Sequence, residues 1–376
     1  MAGLIRFLAV IAVLSLAACS KEPPLYQEQG YVFGTLVDVT LYGESEPRAR
    51  QAVNEVLQEF QRLHNLLHAW QPSELSELNA AFARGESKSV SPELVAMLRD
   101  AAQLSQQSQG LFNPAIGGLV QLWGFHADEF KAALPDEKQI AALVQANPQM
   151  SDIAFLPSPH GGEGSGERGE LVRSRNKAVR LDLGGYAKGY ALDRAAEILR
   201  KQGIRNALIN IGGNVLALGR HGKRPWRVGI QHPRKPGALA TLELRDGEAI
   251  GTSGDYQRYF MLGGKRYCHL IDPRSGYPVQ GVQAATVLIK PLAIRLDEQT
   301  TLAKSLVMTR GPRAGVLSDA TSKPLFIAGT GGWRAAALQM NLPEAMLVDG
   351  MGNIHLTAEL QKRLEFTDKS IRPQVE

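Results

Sequence analysis

The chain has 376 residues, 44% of them hydrophobic, which is enough to bury a full core in one large domain or two smaller ones. Its formal net charge is +5, and we interpret the charges mostly as solvated surface with a weak bias toward an anionic ligand. No cluster of basic and aromatic residues indicates a nucleic-acid partner, so that class of function is excluded.

The first segment of the chain has the pattern of a secretory signal. Arg6 precedes an apolar run over 7–16 that is too short for a membrane-spanning helix. The run ends in Leu16-Ala17-Ala18-Cys19, which resembles the lipobox of bacterial lipoproteins, where cleavage leaves the cysteine as the acylated first residue. We therefore predict a lipoprotein signal peptide over 1–18 and a tether over 19–29. Lipidated Cys19 would anchor the protein to a membrane of the bacterial cell envelope, facing the periplasm.

The cysteine content excludes an intramolecular disulfide if Cys19 carries lipid. Cys268 is the second of only two cysteines, and it then has no partner within the chain. The fold must therefore depend on its hydrophobic core. Ser20, which follows the acylated residue, leaves the choice between inner and outer membrane open.

Hydrophobic periodicity predicts mainly helices in the first half of the chain and strands in the second. Ser91 followed by Pro92 has the pattern of an N-cap and first helical residue. This mixture predicts an α+β domain and argues against a regular βαβ winding. In chain order we predict a strand over 31–42, helices over 47–69 and 91–109, a strand ending at 178–181, a helix over 187–200, a strand over 207–220 broken at Gly212-Gly213, and strands over 226–230 and 240–244.

The segment Leu181-Asp182-Leu183-Gly184-Gly185-Tyr186-Ala187-Lys188-Gly189 joins a predicted strand to a predicted helix. Its glycines let the backbone approach a ligand closely, and free N–H groups in the first helical turn favour a phosphate. Turns of this kind also occur as plain packing, so the anion site that it predicts needs support from other segments.

Five segments form an ordered set of glycine-rich and polar motifs. They are Gly110-Leu111-Phe112-Asn113-Pro114, the glycine turn at 181–189, Asn210-Ile211-Gly212-Gly213-Asn214, Thr252-Ser253-Gly254-Asp255-Tyr256, and 268–278 from Cys268-His269 to Tyr277-Pro278. Taken in order and spacing, they resemble the ApbE family, the bacterial FAD:protein FMN transferases. The resemblance begins at about Phe33 and continues to the end of the chain. It implies an α+β fold of the T-fold-related ApbE type, with mixed sheets, flanking helices and FAD bound in a cleft between two subdomains.

Two stretches of the predicted domain, which covers 30–376, look like insertions. Residues 157–169 contain five glycines and no apolar residue other than proline, so this stretch cannot bury a face, and we place an inserted loop over 157–174. Comparison with the family pattern indicates a second insertion over 290–310, where the family has a short loop.

The resemblance implies cleavage of the FAD pyrophosphate and transfer of FMN to a Thr or Ser hydroxyl of an acceptor flavoprotein, with release of AMP. His269 aligns with the histidine taken as catalytic, and a histidine can accept a proton near neutral pH. Asp272 either orients that imidazole or holds the turn, and we include it with the catalytic residues. The positions that the resemblance assigns to FAD contact are Phe33, Trp70, Leu111, Phe112, Asn113, Asp182, Lys188 and, in a supporting role, Ser253.

The metal site departs from the family pattern. The resemblance implies Mg²⁺ held by the Gly185 carbonyl and by two side-chain oxygens four residues apart, but here Asp319 is followed by Lys323, and a charged lysine has no lone pair for a metal. Either the ammonium takes the place of the cation, or the metal shifts. Asp297 and Thr301 reproduce the ligand spacing and are the alternative ligands if Asp319 is not one.

Two other functions remain open at this stage. A hydrolase could use the same site to split FAD into FMN and AMP with water, and a flavin-binding lipoprotein without catalysis would follow if Lys323 abolishes a required metal. The sequence does not name the acceptor protein or the oligomeric state.

Overall fold

The computed structural model describes residues 23–127, 129–156, 170–291 and 313–376. The predicted signal peptide with Cys19, most of the first insertion and the alternative ligands Asp297 and Thr301 lie outside these ranges. Within them, no helix combines the length and the apolar character that crossing a membrane requires.

The described residues contain both helices and strands throughout the chain. The helices are α1 Glu46–Leu67, α2 Glu74–Arg84, α3 Pro92–Gln107, α4 Gly117–Leu122, α5 Glu137–Ala146, α6 Ala187–Lys201, α7 Ala314–Gln339 and α8 Ala358–Gln361. The strands are β1 Leu25–Val32, β2 Thr35–Tyr42, β3 Ser87–Val90, β4 Ile153–Leu156, β5 Glu170–Ser174, β6 Ala207–Ile211, β7 Asn214–Leu218, β8 Trp226–Gln231, β9 Ala238–Leu244, β10 Ala249–Gly254, β11 Tyr259–Leu262, β12 Lys265–Cys268, β13 Val282–Ile289, β14 Ala345–Asp349, β15 Ile354–Leu356, β16 Glu365–Phe366 and β17 Gln374–Val375.

A large central sheet organises the fold. Among the described residues it has nine strands in the order β1-β2-β6-β7-β10-β13-β14-β15-β17, antiparallel except for the last pair. Leu216 and Leu218 of β7 face a core shared with α1, α6 and α7, whereas Val215 and Ala217 face a second core shared with β8 and β9. Because successive side chains of a strand point to opposite faces, the middle of this sheet is apolar on both sides.

The domain begins earlier in the chain than the predicted tether over 19–29 allows, because β1 begins at Leu25. The strand predicted over 31–42 is a hairpin of β1 and β2, with Phe33 (φ 56°) and Gly34 (φ 68°) in the left-handed conformation that tight hairpin turns require. Residues 25–29, predicted to be tether, therefore belong to the sheet. Gln27 and Gln29 donate across the hairpin to Asp38, at 2.7 and 3.1 Å, and the Tyr26 hydroxyl donates to Glu28 within β1.

Two further segments differ from the predictions. Residues 178–181 do not form a strand, because Asn79 takes up the backbone N–H and C=O of Leu181, at 2.6 and 2.9 Å, and Arg180 makes a single bridge to Ile116. Residues 170–174, placed in the first inserted loop, form β5 between β3 and β4. The helices predicted over 47–69, 91–109 and 187–200 are confirmed as α1, α3 and α6.

Candidate active site

Segments from distant parts of the chain meet at one cavity of about 610 Å³, a volume typical of small-molecule and cofactor sites. Its wall is formed by the hairpin turn after β1, the turns that follow α1 and α3, the glycine turn before α6, the end of β10, the segment after β12 and residues 319–327 of α7. The predicted site residues among its lining are Phe33, Trp70, Leu111, Phe112, Asn113, Asp182, Gly185, Lys188, Ser253, His269, Asp319 and Lys323.

Aromatic rings form part of the cavity wall. The Arg180 guanidinium lies over the Trp70 ring, 4.6 Å from its centroid, and the His126 ring is 5.5 Å from it. Phe33 and Phe112 line the same cavity. Flat faces of this kind suit the stacking of a planar heteroaromatic ligand.

The glycine turn offers fewer free N–H groups than its sequence predicts. The N–H groups of Tyr186 and Ala187 both donate to the carbonyl of Leu183, and the N–H of Gly184 donates to the Asp182 carboxylate at 2.8 Å. The N–H of Gly189 donates to Asp319 at 3.0 Å. An anion at this turn would therefore be held mainly by side-chain cations.

Lysine and arginine side chains supply those cations. Lys188 lies in the first turn of α6, where its ammonium donates to the Gly184 carbonyl at 3.2 Å. Burial raises the pKa of Asp182, and the Gly184 N–H and the charges of Arg258 and Lys188 act in the opposite direction. The Asp182 carboxylate thus lies within the electrostatic reach of two cationic side chains that share the cavity.

The segment of α7 that the resemblance implies as the metal site contains a buried ion pair between Asp319 and Lys323. The Lys323 ammonium donates to Asp319 Oδ1 at 2.6 Å and to the Asp319 carbonyl at 2.7 Å. Burial disfavours the ionised form of Asp319, but the charges of Lys323 and Lys188, together with hydrogen bonds from Lys323 and Gly189, lower its pKa. Burial lowers the pKa of Lys323, against the opposing effect of Asp319.

These residues do not fit a magnesium ion. Mg²⁺ prefers about six oxygen ligands in octahedral geometry. One carboxylate is present at this position, its two oxygens already accept from Gly189 and Lys323, and an ammonium stands beside it. Over the described ranges, no group of three or more His, Cys, Asp and Glu side chains could hold a metal ion.

His269 is held in the cavity wall as a neutral imidazole. Its backbone N–H donates to the Arg258 carbonyl at 3.0 Å, and Nδ1 lies 3.3 Å from the same oxygen. A proton on Nδ1 satisfies that carbonyl and leaves Nε2 as an acceptor. Burial, followed by the charges of Lys188, Arg258 and Lys323, lowers the pKa of His269 to about 3.

In the structure Asp272 makes the contacts of a residue that holds its own turn, which is the second of the two roles that the sequence left open. It is not among the residues that line the cavity. Its carboxylate accepts from the backbone N–H and the guanidinium of Arg274, while its backbone bonds to Tyr277 and Gly276. Because Pro273 turns the chain, the carboxylate folds over the following residues rather than toward His269.

We expect Asp272→Ala to lower the free energy of unfolding by about 1 kcal/mol, through the loss of hydrogen bonds in the turn. The activity of the site should change by less than about tenfold, far from the loss that removal of a general base causes. Urea unfolding and the reaction rate measure the two effects. A loss of activity as large as that of His269→Ala, without loss of stability, would restore Asp272 to the catalytic set.

Sequence reasoning missed four basic residues that line the cavity, Arg258, His64, His68 and His126. The Arg258 guanidinium donates to the carbonyls of Phe125 and Ala127, at 2.9 and 3.0 Å, and so closes one side of the site. His68 Nδ1 accepts from the N–H groups of Trp70 and Gln71, so its Nε2 carries the proton as a donor. Arg258 lies two residues beyond the fourth motif, and a longer motif would have included it, whereas His68 has no motif.

The fold and the site together define a mixed α+β protein whose cavity suits an aromatic, anionic ligand of nucleotide type. The ApbE family profile matches residues 33–314, three quarters of the chain. The chain belongs to the ApbE family, so the family and the α+β fold predicted from the motifs are confirmed.

Relatives and solved structures agree with this assignment. The chain is 40% identical over 365 residues to an FAD:protein FMN transferase of Rhodobacter capsulatus. The aligned region covers 96% of this chain but only 63% of that protein. It is 32% identical over 298 residues to one of Klebsiella pneumoniae, covering 76% of this chain and 84% of that protein. The crystal structure of the ApbE protein of Thermotoga maritima has a TM-score of 0.75 at 26% identity, covering 90% of this chain and 99% of that one.

Proposed function

We propose that this chain transfers FMN from FAD to a Thr or Ser hydroxyl of an acceptor flavoprotein through a phosphoester bond and releases AMP. The observation that carries the proposal is the joint presence in one cavity of aromatic walls, the cations Lys188, Lys323 and Arg258, and a neutral histidine. The relatives named FAD:protein FMN transferase support the same reaction.

The cavity contents suggest how FAD binds. The rings of Phe33, Trp70 and Phe112 offer flat faces to the isoalloxazine or the adenine. Lys188 and Lys323 lie where positive charge can offset the pyrophosphate, which an in-line displacement at phosphorus requires. We therefore propose that FAD binds in this cavity, which would be the cleft that the family resemblance implies.

The chemistry needs one proton acceptor and one leaving group. The Thr or Ser hydroxyl oxygen of the acceptor protein attacks the phosphorus of the FMN half of FAD. The proton of that hydroxyl passes to Nε2 of His269. The bond between that phosphorus and the bridging oxygen breaks, so AMP leaves with the bridging oxygen. The imidazolium then loses its proton to solvent, which restores the base.

The magnesium expected from the family resemblance is not used in this scheme, because the residues at Asp319 do not fit it. We also propose a location in the bacterial cell envelope with lipid on Cys19, supported by the Leu16-Ala17-Ala18-Cys19 sequence. The acceptor is proposed to meet the enzyme on the periplasmic side.

One assay separates the three candidate functions. The purified protein is incubated with FAD and an acceptor domain that carries a Thr or Ser flavinylation site, and the products are followed by mass spectrometry and chromatography. We expect FMN to be attached covalently to the acceptor, with one AMP released for each FMN. Free FMN and AMP with an unmodified acceptor would identify a hydrolase, and bound, uncleaved FAD would identify a flavin-binding protein; either result contradicts the proposal.

A further inference from the structure

We infer that the Lys323 ammonium is a built-in cation for the pyrophosphate of FAD, so that FAD binding and FMN transfer by this chain need no divalent metal ion. The inference rests on the proposed function and names the group that neutralises the substrate charge. It follows from the disagreement between the metal expected from the family resemblance and the residues present.

The ammonium is placed by the helix that carries it. Asp319 and Lys323 are four residues apart on α7, so their side chains share one helical face. The Lys323 side chain is only 14% exposed, and its ammonium bonds Asp319 Oδ1 and the Asp319 carbonyl. An ammonium has three protons, so one proton remains for a phosphate oxygen.

The glycine turn is shaped around the lysine stem. A Cβ at Gly185 would lie 2.6 Å from Cε and 2.9 Å from Cδ of Lys323, closer than carbon atoms approach without a shift. The methylenes of Lys323 therefore occupy the space that any side chain at 185 would need. This fit holds the ammonium beside the turn that also carries Lys188.

The charges of the cavity wall disfavour the binding of a metal ion. The Lys and Arg residues that line the cavity are Lys188, Arg258 and Lys323, and the acidic ones are Asp182 and Asp319, so the wall is already net positive. A divalent cation at Asp319 would have to break its ion pair with Lys323 and would be repelled by two ammonium groups. FAD, in contrast, brings the negative charge that this wall lacks.

The test compares metal dependence in the wild type and in three variants. FAD affinity, from quenching of protein fluorescence, and the rate of FMN transfer are measured in EDTA and again with added Mg²⁺. We expect the wild type to bind and transfer in EDTA, with less than about threefold gain from Mg²⁺. Lys323→Gln should weaken FAD binding by about 10- to 100-fold in EDTA, as the loss of a hydrogen bond to a charged group predicts.

Lys323→Thr separates a charge role from a structural one. It puts an oxygen four residues after Asp319 and removes the competing ammonium, so its loss in EDTA should be recovered by Mg²⁺. Lys201→Gln, at the exposed end of α6, is the matched control and should behave as the wild type. Thermal unfolding of each variant checks that it is folded.

Opposite results would overturn the inference. One such result is that Mg²⁺ strengthens FAD binding by the wild type more than tenfold. The other is that Lys323→Gln binds FAD in EDTA with the affinity of the wild type. The FAD-binding measurement distinguishes the two proposals. If the wild type binds FAD in EDTA through Lys323 but never modifies an acceptor, the transferase proposal is refuted, whereas the proposed role of Lys323 as a cation for FAD is not. A wild type that binds no FAD with or without Mg²⁺ refutes both.

Discussion

Replacing His269 with alanine is expected to lower the rate of FMN transfer by about 10²- to 10⁴-fold, the usual range for a lost general base. FAD affinity should change little, because the neutral imidazole carries no charge toward the pyrophosphate. Single-turnover transfer at saturating FAD measures the first effect, and fluorescence titration measures the second. Full transfer by a folded His269→Ala protein would refute the assignment.

His232 offers a matched control for this variant. It is a half-buried histidine that does not line the cavity, and its ring accepts from the N–H groups of Arg234 and Lys235. His232→Ala should therefore leave transfer unchanged. A loss of similar size in both variants would indicate a general effect on folding instead of a catalytic role.

The depressed pKa of His269 has a direct consequence for the pH profile. The imidazole must be neutral to accept a proton, and with a pKa of about 3 it stays neutral down to mildly acidic solution. The value of kcat/KM for FAD, which reports the free enzyme, should therefore show no fall from this group between about pH 8 and pH 5. A histidine-dependent fall centred on its ordinary pKa of 6.5 would contradict this environment.

Replacing Gly189 with alanine is expected to lower the free energy of unfolding by about 3 kcal/mol, at the upper end of the usual cost of overpacking. The added Cβ would lie 2.3 Å from the Gly315 carbonyl oxygen and 2.7 Å from Cα of Val316, so backbone and not a flexible side chain would have to move. Separation of α6 from α7 would also lengthen the Gly189 N–H to Asp319 bond and lower transfer. Urea unfolding and the transfer assay measure the two effects.

Gly331→Ala is the control for this change. A Cβ at Gly331 meets nothing within 4 Å, so the same substitution adds no collision there. It should be neutral or slightly stabilising because alanine restricts the unfolded chain. If Gly189→Ala is as stable as Gly331→Ala, the close crossing of α6 and α7 is wrong.

Local sequence was sufficient for the elements whose signals are local. The spacing of apolar residues predicted α1, α3 and α6, and Ser91 does cap α3, accepting the Leu94 N–H at 3.3 Å. The site residues predicted from the family resemblance, from Phe33 to Lys323, line the same cavity, and their roles stay predictions. The helix predictions succeeded because helix periodicity and capping depend on residues close together in the chain.

Tertiary structure decided whatever depends on a distant partner. Asn79 binds the backbone of Leu181 from 102 residues away and so prevents the predicted strand end. Asp319 takes the Gly189 N–H from 130 residues away, which removes a donor that the glycine turn alone would offer to an anion.

The sequence by itself determined that this chain is an ApbE-family protein with His269 in its site and a lysine where an oxygen ligand is usual. Only the folded chain decided what that lysine does, because its ammonium is fixed by Asp319 on one side and its stem by the bare backbone of Gly185 on the other. Hydrogen bonds and close packing between remote segments have no signature in local periodicity, and for that reason the site's charge balance had to be read from the structure.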